Sequence, residues 1–325
     1  MNSHEPLLRI QNLDITFKPK AHAVRSLNLE IDKSQIHGLV GESGSGKSVT
    51  STAVIGLLPE PPAKINSGQI IFKGRDILKL KQEEKRKLRG REIAMVFQEP
   101  SKYLNPSLKI GEQIREGLSL HLGMARKPAL ERAFELLSMV GLGESRRVLD
   151  SFPHELSGGM KQRAMIAMGI ACNPSLLIAD EPTTALDVTL QLQILELIYD
   201  LQNRLKMSIL FISHDLNVVK QIADRVSVIY AGKIVESADK KAIFKNPLQP
   251  YTQLLLLSIP DPEKRGKPLK AIPGTVPDAE FIPSGCAFHT RCPYSKKICA
   301  EEMPLLKEYK TGHFAACHLL DGNTG

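Results

Sequence analysis

Residues 35–48 read QIHGLVGESGSGKS: a short apolar run, then an octet in which Gly41, Gly46, Lys47 and Ser48 keep the G-x-x-x-x-G-K-[ST] spacing without a gap. The run before it reads as a buried strand, and the residues after it read as a helix. Glycines at 41, 44 and 46 let the backbone fold tightly enough for several N–H groups to converge on one point, and the helix that follows aims its positive end at the same point. Such a point takes a polyphosphate. Lys47 can reach β- and γ-phosphates, and the Ser48 hydroxyl can hold Mg²⁺. Gly41, Ser43, Gly44, Ser45, Gly46, Lys47 and Ser48 are therefore the candidate nucleotide-binding residues.

Outward from this loop the pattern is mixed. Leu8, Ile10, Leu13, Ile15 and Phe17 nearly alternate, and Leu27, Leu29 and Ile31 alternate strictly, so the first forty residues read as strands. Strands are also expected at 68–72 and 93–97. Between Gly111 and Gly141 the period becomes helical, with Leu130, Phe134 and Leu137 at helix spacing. From Leu176 the order is strand (LLIAD), helix, strand (ILFIS), helix, strand (RVSVIY). Leu190, Ile194, Leu197, Leu201 and Leu205 are expected to form one buried face of the first of those helices. Alternating strands and helices imply a parallel sheet covered on both faces.

LLIAD places Asp180 at the carboxyl end of a buried strand, where it can bind Mg²⁺ through water. The next residue, Glu181, can act as general base on the attacking water. Two acids ending a strand are common in any α/β protein. Only the phosphate loop upstream gives this pair a catalytic reading.

The chain has 325 residues, 42% hydrophobic and 24% charged, which excludes a disordered or fibrous chain. Aromatics make up 5%, with no Trp, against a stacking platform for single-stranded nucleic acid. The longest charge-free stretch, 164–179, is interrupted by Asn173 and Pro174 and is too short to cross a bilayer. An N-terminus carrying Glu5 and Pro6, without an apolar signal core, is expected of a protein kept in the cytosol. The net charge is +8, and residues 73–91 concentrate nine basic against three acidic side chains. That segment is either a solvated helix face or a patch for nucleic acid or an anionic membrane surface.

Leu156-Ser157-Gly158-Gly159-Met160 resembles the signature of the ATP-binding-cassette (ABC) ATPases, which other P-loop classes lack. A serine and two glycines at a helix start again present N–H groups to an anion. In the family this element contacts the γ-phosphate of ATP held by a second subunit. The resemblance implies that Ser157, Gly158 and Gly159 bind nucleotide across a dimer. The family's usual last residue is Gln, and Met160 departs from it while leaving Ser157 and Gly159 intact. Met followed by Lys-Gln-Arg is similar to the peptide-transporter branch.

Other family elements follow in order. Gln98 resembles the glutamine that senses Mg²⁺ and water, Ala185-Leu186-Asp187 the dimer-contact loop, and His214 the switch histidine that reaches the γ-phosphate. Phe17 is either the aromatic that stacks on adenine or an ordinary core residue. The implied catalytic set is Glu181, His214 and Gln98, and the implied Mg²⁺ set is Ser48, Gln98 and Asp180. The implied fold is a P-loop α/β ATPase: a RecA-like parallel sheet core, an antiparallel β subdomain, an inserted α-helical subdomain at about 99–165, and a small cysteine-containing C-terminal domain. The nucleotide-binding domain is expected over 1–240 and the extension over 241–325.

In the extension, residues 246–252 (NPLQPYT), Ile272-Pro273-Gly274 and the later cysteines resemble the C-terminal extension of dipeptide and oligopeptide transporter ATPases, much of which a nickel-importer subfamily shares. Cys286, Cys292, Cys299 and Cys317 are separated by five, six and seventeen residues. Four thiolates can take zinc or an iron–sulfur cluster, or stay free. The tight pairs of zinc knuckles are absent, and the resemblance implies a 4Fe-4S cluster. His289, His313 and His318 are expected at the surface or behind the ligands, and Cys172 is expected as a small buried core residue.

The function that follows is the ATPase motor of an ABC importer. ATP closes a dimer with a second ATPase, expected to be a paralogue. Hydrolysis reopens it to drive di- or oligopeptide uptake through two permease subunits, fed indirectly by an extracytoplasmic solute-binding protein. The chain would sit peripherally on the cytoplasmic face of the inner membrane, with no nucleic-acid partner. The rival is a soluble cassette ATPase acting on nucleic acid through residues 73–91. Such proteins carry long coiled-coil insertions or paired cassettes, which this sequence lacks.

Overall fold

The computed structural model describes residues 5–17, 20–184, 186–259 and 272–321. Among them the strands, in chain order, are β1 (Leu8–Phe17), β2 (Ala21–Ile31), β3 (Ile36–Val40), β4 (Ala63–Phe72), β5 (Arg75–Asp76), β6 (Ile93–Val96), β7 (Leu176–Asp180), β8 (Ser208–Ser213), β9 (Arg225–Tyr230), β10 (Lys233–Asp239), β11 (Lys307–Lys310) and β12 (His313–Ala315). The chain divides into two compact units, Met1–Leu78 with Ser213–Gly325, and Lys79–Ile212.

In the first unit, β2-β1-β4-β5 form an antiparallel sheet. The imperfect alternation of β1 has a structural cause. Ile10 and Leu13 are both fully buried although three residues apart, because the register shifts between them at Asn12, whose φ is 47°. Opposite lies Gly68, where a Cβ would sit 2.6 Å from the Asn12 carbonyl oxygen, so the bulge admits no side chain there. A second set of strands runs β11-β12-β10-β9-β3. Here β3 and β9 are parallel and the remaining pairs antiparallel.

The C-terminal stretch is tied into that second set. β12 pairs with β10 through Glu236↔Ala315 and Ser237↔Phe314. Glu236, fully buried, accepts hydrogen bonds from the Leu248 and Gln249 N–H groups at 2.7 and 3.1 Å and bonds His313 Nε2 at 2.7 Å. A buried carboxylate is tolerable only when so completely partnered. Tyr230, Tyr251 and Phe288 pack edge-on or tilted, with ring centroids 4.6–5.2 Å apart, and join β9, the helix Pro250–Leu257 and the cysteine-bearing tail.

The second unit carries parallel β6, β7 and β8. All five residues of β7 are buried, as a continuous apolar run covered on both faces requires. The helical insertion is present as Ile110–Leu122, closed by Gly123 at φ 65°, and Arg126–Met139. The long helix Val188–Leu205 is capped by Asp187, whose carboxylate accepts from the Leu190 N–H at 2.9 Å. Its buried face is Ile194, Leu195, Ile198, Leu201 and Gln202. That face lies about one residue round from the expected stripe, and Leu190, Leu197 and Leu205 are half-buried. Within residues 73–91, the helix Gln82–Leu88 buries only Leu88, with Glu83 and Glu84 in its first turn and Lys85, Arg86 and Lys87 in its last. That ordering complements the helix dipole and fits a solvated face.

Candidate functional site

The first unit holds the phosphate loop between β3 and the helix Lys47–Val54. Gly44 and Gly46 have φ of 78° and 103°. A Cβ on Gly46 would lie 2.5 Å from the Ala23 carbonyl oxygen, and one on Gly41 would lie 2.3 Å from that of Ile229. The motif's glycines are thus demanded both by backbone conformation and by close approach. Ser45 is fully buried, Ser43, Gly44 and Ser48 are exposed, and the Lys47 Nζ donates to the Gly41 and Glu42 carbonyls at 2.8 and 2.9 Å. Phe17 ends β1 half-buried, opposite Ala21 and Ala63. His214 is exposed just after β8.

The second unit brings Gln98 and Glu181 together. The Gln98 Nε2 donates to the Glu181 Oε2 at 3.1 Å, and the Thr184 hydroxyl donates to the same oxygen at 2.9 Å. Two donors on one oxygen hold the carboxylate in a fixed orientation. Glu181 itself has φ 47°, a left-handed conformation that costs a non-glycine residue about 1 kcal/mol. Asp180, one residue earlier at the end of β7, is buried.

Also in this unit, Ser157 caps the helix Gly158–Ile170 by accepting from the Met160 N–H at 3.3 Å. Ser157 and Gly158 are exposed, and Gly159 is buried. A helix start presented to solvent in this way can take an anion from outside the chain. Asp187 caps the next helix, whereas Ala185 of the dimer-contact segment lies outside the described residues.

The four tail cysteines do not meet the expectation of a metal centre. Among the described residues no three His, Cys, Asp or Glu side chains are placed to hold one ion. The thiols nevertheless gather in one region: the Cys286 N–H donates to the Cys299 carbonyl at 2.8 Å, and Cys299 and Cys317 are buried. Burial, and then the other three cysteines, push the Cys317 thiol up to about 11. Each nearby histidine is hydrogen-bonded elsewhere: His289 to the Cys286 carbonyl, His313 to Glu236 and His318 to the Glu302 carbonyl. Cys172 is half-buried rather than core, because it follows the helix end instead of its packed face, and burial raises its thiol pKa.

Three side chains at these sites carry contacts that leave little mark in the sequence. Thr184 lies in the segment EPTTALD, where a hydroxyl three residues after the acid is the only signal. Tyr251 and Arg291, which both bond the phosphate loop, lie 209 and 249 residues from their partner, Glu42.

A profile of the ABC transporter family matches residues 24–184, and a profile of the oligopeptide/dipeptide transporter C-terminal region matches 235–299. The chain is similar to the oligopeptide transport ATP-binding protein OppD of Bacillus subtilis, with 48% identity over 97% of this chain and 89% of that one. It is 44% identical to the dipeptide transport ATP-binding protein DppD of the same organism, covering 98% and 96%. Among solved structures, the ADP- and Pi-bound post-hydrolysis dimer of the ATP-binding cassette MJ0796 aligns with a TM-score of 0.64 at 29% identity, covering 72% of this chain and 98% of that one. The cbiO1 subunit of the Clostridium perfringens cbiONQ transporter complex aligns with a TM-score of 0.66 at 26% identity, covering 74% and 92%.

Proposed function

The chain belongs to the ATP-binding subunits of oligopeptide and dipeptide ABC transporters, and we propose from that premise that it is the ATPase motor of a peptide importer. The observation that carries the hydrolytic part is Glu181: a carboxylate oriented by Gln98 and Thr184 on a strained backbone, immediately after the strand LLIAD. Held in that way it can take the proton of an attacking water as general base. Lys47 and the loop N–H groups would hold the phosphates, and Ser48, Gln98 and Asp180 would be the Mg²⁺ residues. Bound there, Mg²⁺ neutralises phosphate charge during transfer. His214 would reach the γ-phosphate. The helix start at Ser157, Gly158 and Gly159, exposed at its first two residues, would take the nucleotide of a second ATPase, a paralogue, in a closed dimer.

The partners in this reading are two permease subunits and, through them, a solute-binding protein, with the chain peripheral on the inner membrane's cytoplasmic face. Among the described residues no helix is long and apolar enough to cross a membrane. Residues 1–240 would form the motor and 241–325 the extension. A cell lacking this chain should lose uptake of labelled di- or oligopeptide and regain it with the wild-type chain but not with Glu181→Gln. Loss of nickel uptake with peptide uptake intact would instead place it in the metal branch.

A 4Fe-4S cluster, or zinc as its alternative, at Cys286, Cys292, Cys299 and Cys317 is supported by the gathered thiols and the tail's resemblance. Among the described residues the side-chain placement does not itself form a ligand set, and no role in hydrolysis is assigned to iron or zinc there. Iron, sulfide and zinc analysis of protein prepared without oxygen decides between cluster, zinc and free thiols.

A further inference from the structure

Arg291 lies in the cysteine-bearing tail, next to Cys292, yet its side chain is only 4% exposed and every one of its donors is used. The Nε donates to the Pro273 carbonyl at 2.8 Å. One terminal nitrogen donates to Glu42 Oε2 at 2.8 Å and to the Tyr230 hydroxyl at 3.3 Å, and the other donates to Glu42 Oε1 at 3.0 Å and to the Gly274 carbonyl at 3.3 Å. The guanidinium also lies 5.8 and 5.9 Å from the ring centres of Tyr230 and Phe288. A planar fork meeting a carboxylate with two parallel bonds is among the strongest charge-assisted contacts a protein makes.

Its target is the second residue of the phosphate loop. All three polar groups of Glu42 are engaged: the carboxylate by Arg291, the N–H by the Tyr251 hydroxyl at 3.0 Å, and the carbonyl by the Lys47 Nζ at 2.9 Å. Two of these three partners come from the C-terminal extension, Tyr251 from NPLQPYT and Arg291 from the tail, while the Ile272-Pro273-Gly274 turn supports Arg291 from behind. Without Arg291 the Glu42 carboxylate would stand uncompensated beside the site for a polyanion. Like charge there repels nucleotide.

We propose that Arg291 is a positioning residue of the ATPase: from the tail it neutralises and orients Glu42, so that the fold of the extension sets the loop's affinity for nucleotide. The proposal rests on the loop being the ATP phosphate cradle, and the test keeps the two apart. Steady-state ATPase kinetics would be measured on the assembled transporter carrying Arg291→Gln, Arg291→Lys, Glu42→Gln, the Arg291→Gln/Glu42→Gln double variant, or Lys47→Ala.

Arg291→Gln should raise KM for ATP about threefold to tenfold, with a smaller change in kcat, because the carboxylate is 30% exposed and partly screened. Removing the Glu42 charge as well should bring KM back toward that of Glu42→Gln alone, and Arg291→Lys should fall between wild type and Arg291→Gln. A folded Arg291→Gln complex with wild-type KM overturns the proposal. So does a double variant no better than Arg291→Gln, since a purely structural arginine would not be rescued by removing its partner's charge. An unchanged KM in Lys47→Ala overturns the loop reading itself, and the proposal with it.

Discussion

In the proposed function hydrolysis rests on single side chains whose loss should leave distinct signatures. Glu181→Gln keeps the shape and the neighbours of the carboxylate but cannot accept a proton, so turnover should fall about 10²- to 10⁴-fold while ATP still binds. Single-turnover hydrolysis beside equilibrium nucleotide binding checks it, and near-normal turnover would remove Glu181 from the role of base. Lys47→Ala acts earlier. It deletes a cation whose Nζ sits among the loop carbonyls, and binding of a non-hydrolysable ATP analogue should weaken about ten- to a hundredfold, the scale of a lost charge-assisted hydrogen bond. Both residues stand out in the sequence, Lys47 by the G-x-x-x-x-G-K-S spacing, which is itself a steric demand, and Glu181 by its place after LLIAD downstream of that loop. The left-handed backbone of Glu181 and its second donor, Thr184, do not, because neither leaves a periodic or compositional mark.

Among the elements, β3 carries a titratable group that couples stability to pH. His37 is buried and bonded through Nε2 to the Ser227 hydroxyl at 2.8 Å, and burial, then Arg225, lowers its pKa to about 3. In the unfolded chain the same imidazole titrates near its ordinary value of about 6.5. The unfolded state therefore binds the extra proton between those two values. The stabilisation is complete above about pH 6.5 and is lost as the pH falls toward 3. This group alone should remove about 2 kcal/mol between pH 7 and pH 5. Urea unfolding at the two pH values should show a shallower pH dependence for His37→Asn than for wild type, and equal slopes would contradict the assignment. Strand alternation predicted β1 and β2 well, and even the break at Asn12 shows in the sequence as a doubled polar pair. The helix Val188–Leu205 turns its buried face about one residue round from the expected stripe, because leucines at 190, 197 and 205 fit the same period while half-buried.

For the whole molecule, the extension is bound into the motor by pairings that no local pattern could announce. β12 adds to β10, Glu236 gathers Leu248, Gln249 and His313, and Arg291 reaches Glu42 across 249 residues. NPLQPYT and Ile-Pro-Gly are visible as marks of a family; that Tyr251 accepts from the Glu42 N–H, and that the Pro273 and Gly274 carbonyls hold Arg291, appears only when the chain is folded. The cysteines show the opposite limit: the cluster is implied by the tail's resemblance rather than by their spacing, and among the described residues no ligand set is placed for one ion. As the ATPase of a peptide importer, this chain should hydrolyse ATP in step with peptide supply. The most direct test is ATP hydrolysis by the complete transporter, reconstituted in liposomes with its solute-binding protein and titrated with peptide. Di- or oligopeptide should stimulate turnover several-fold, and Glu181→Gln in this chain should abolish the stimulated rate; turnover indifferent to peptide but responsive to nickel or to nucleic acid would rule out peptide import as its role.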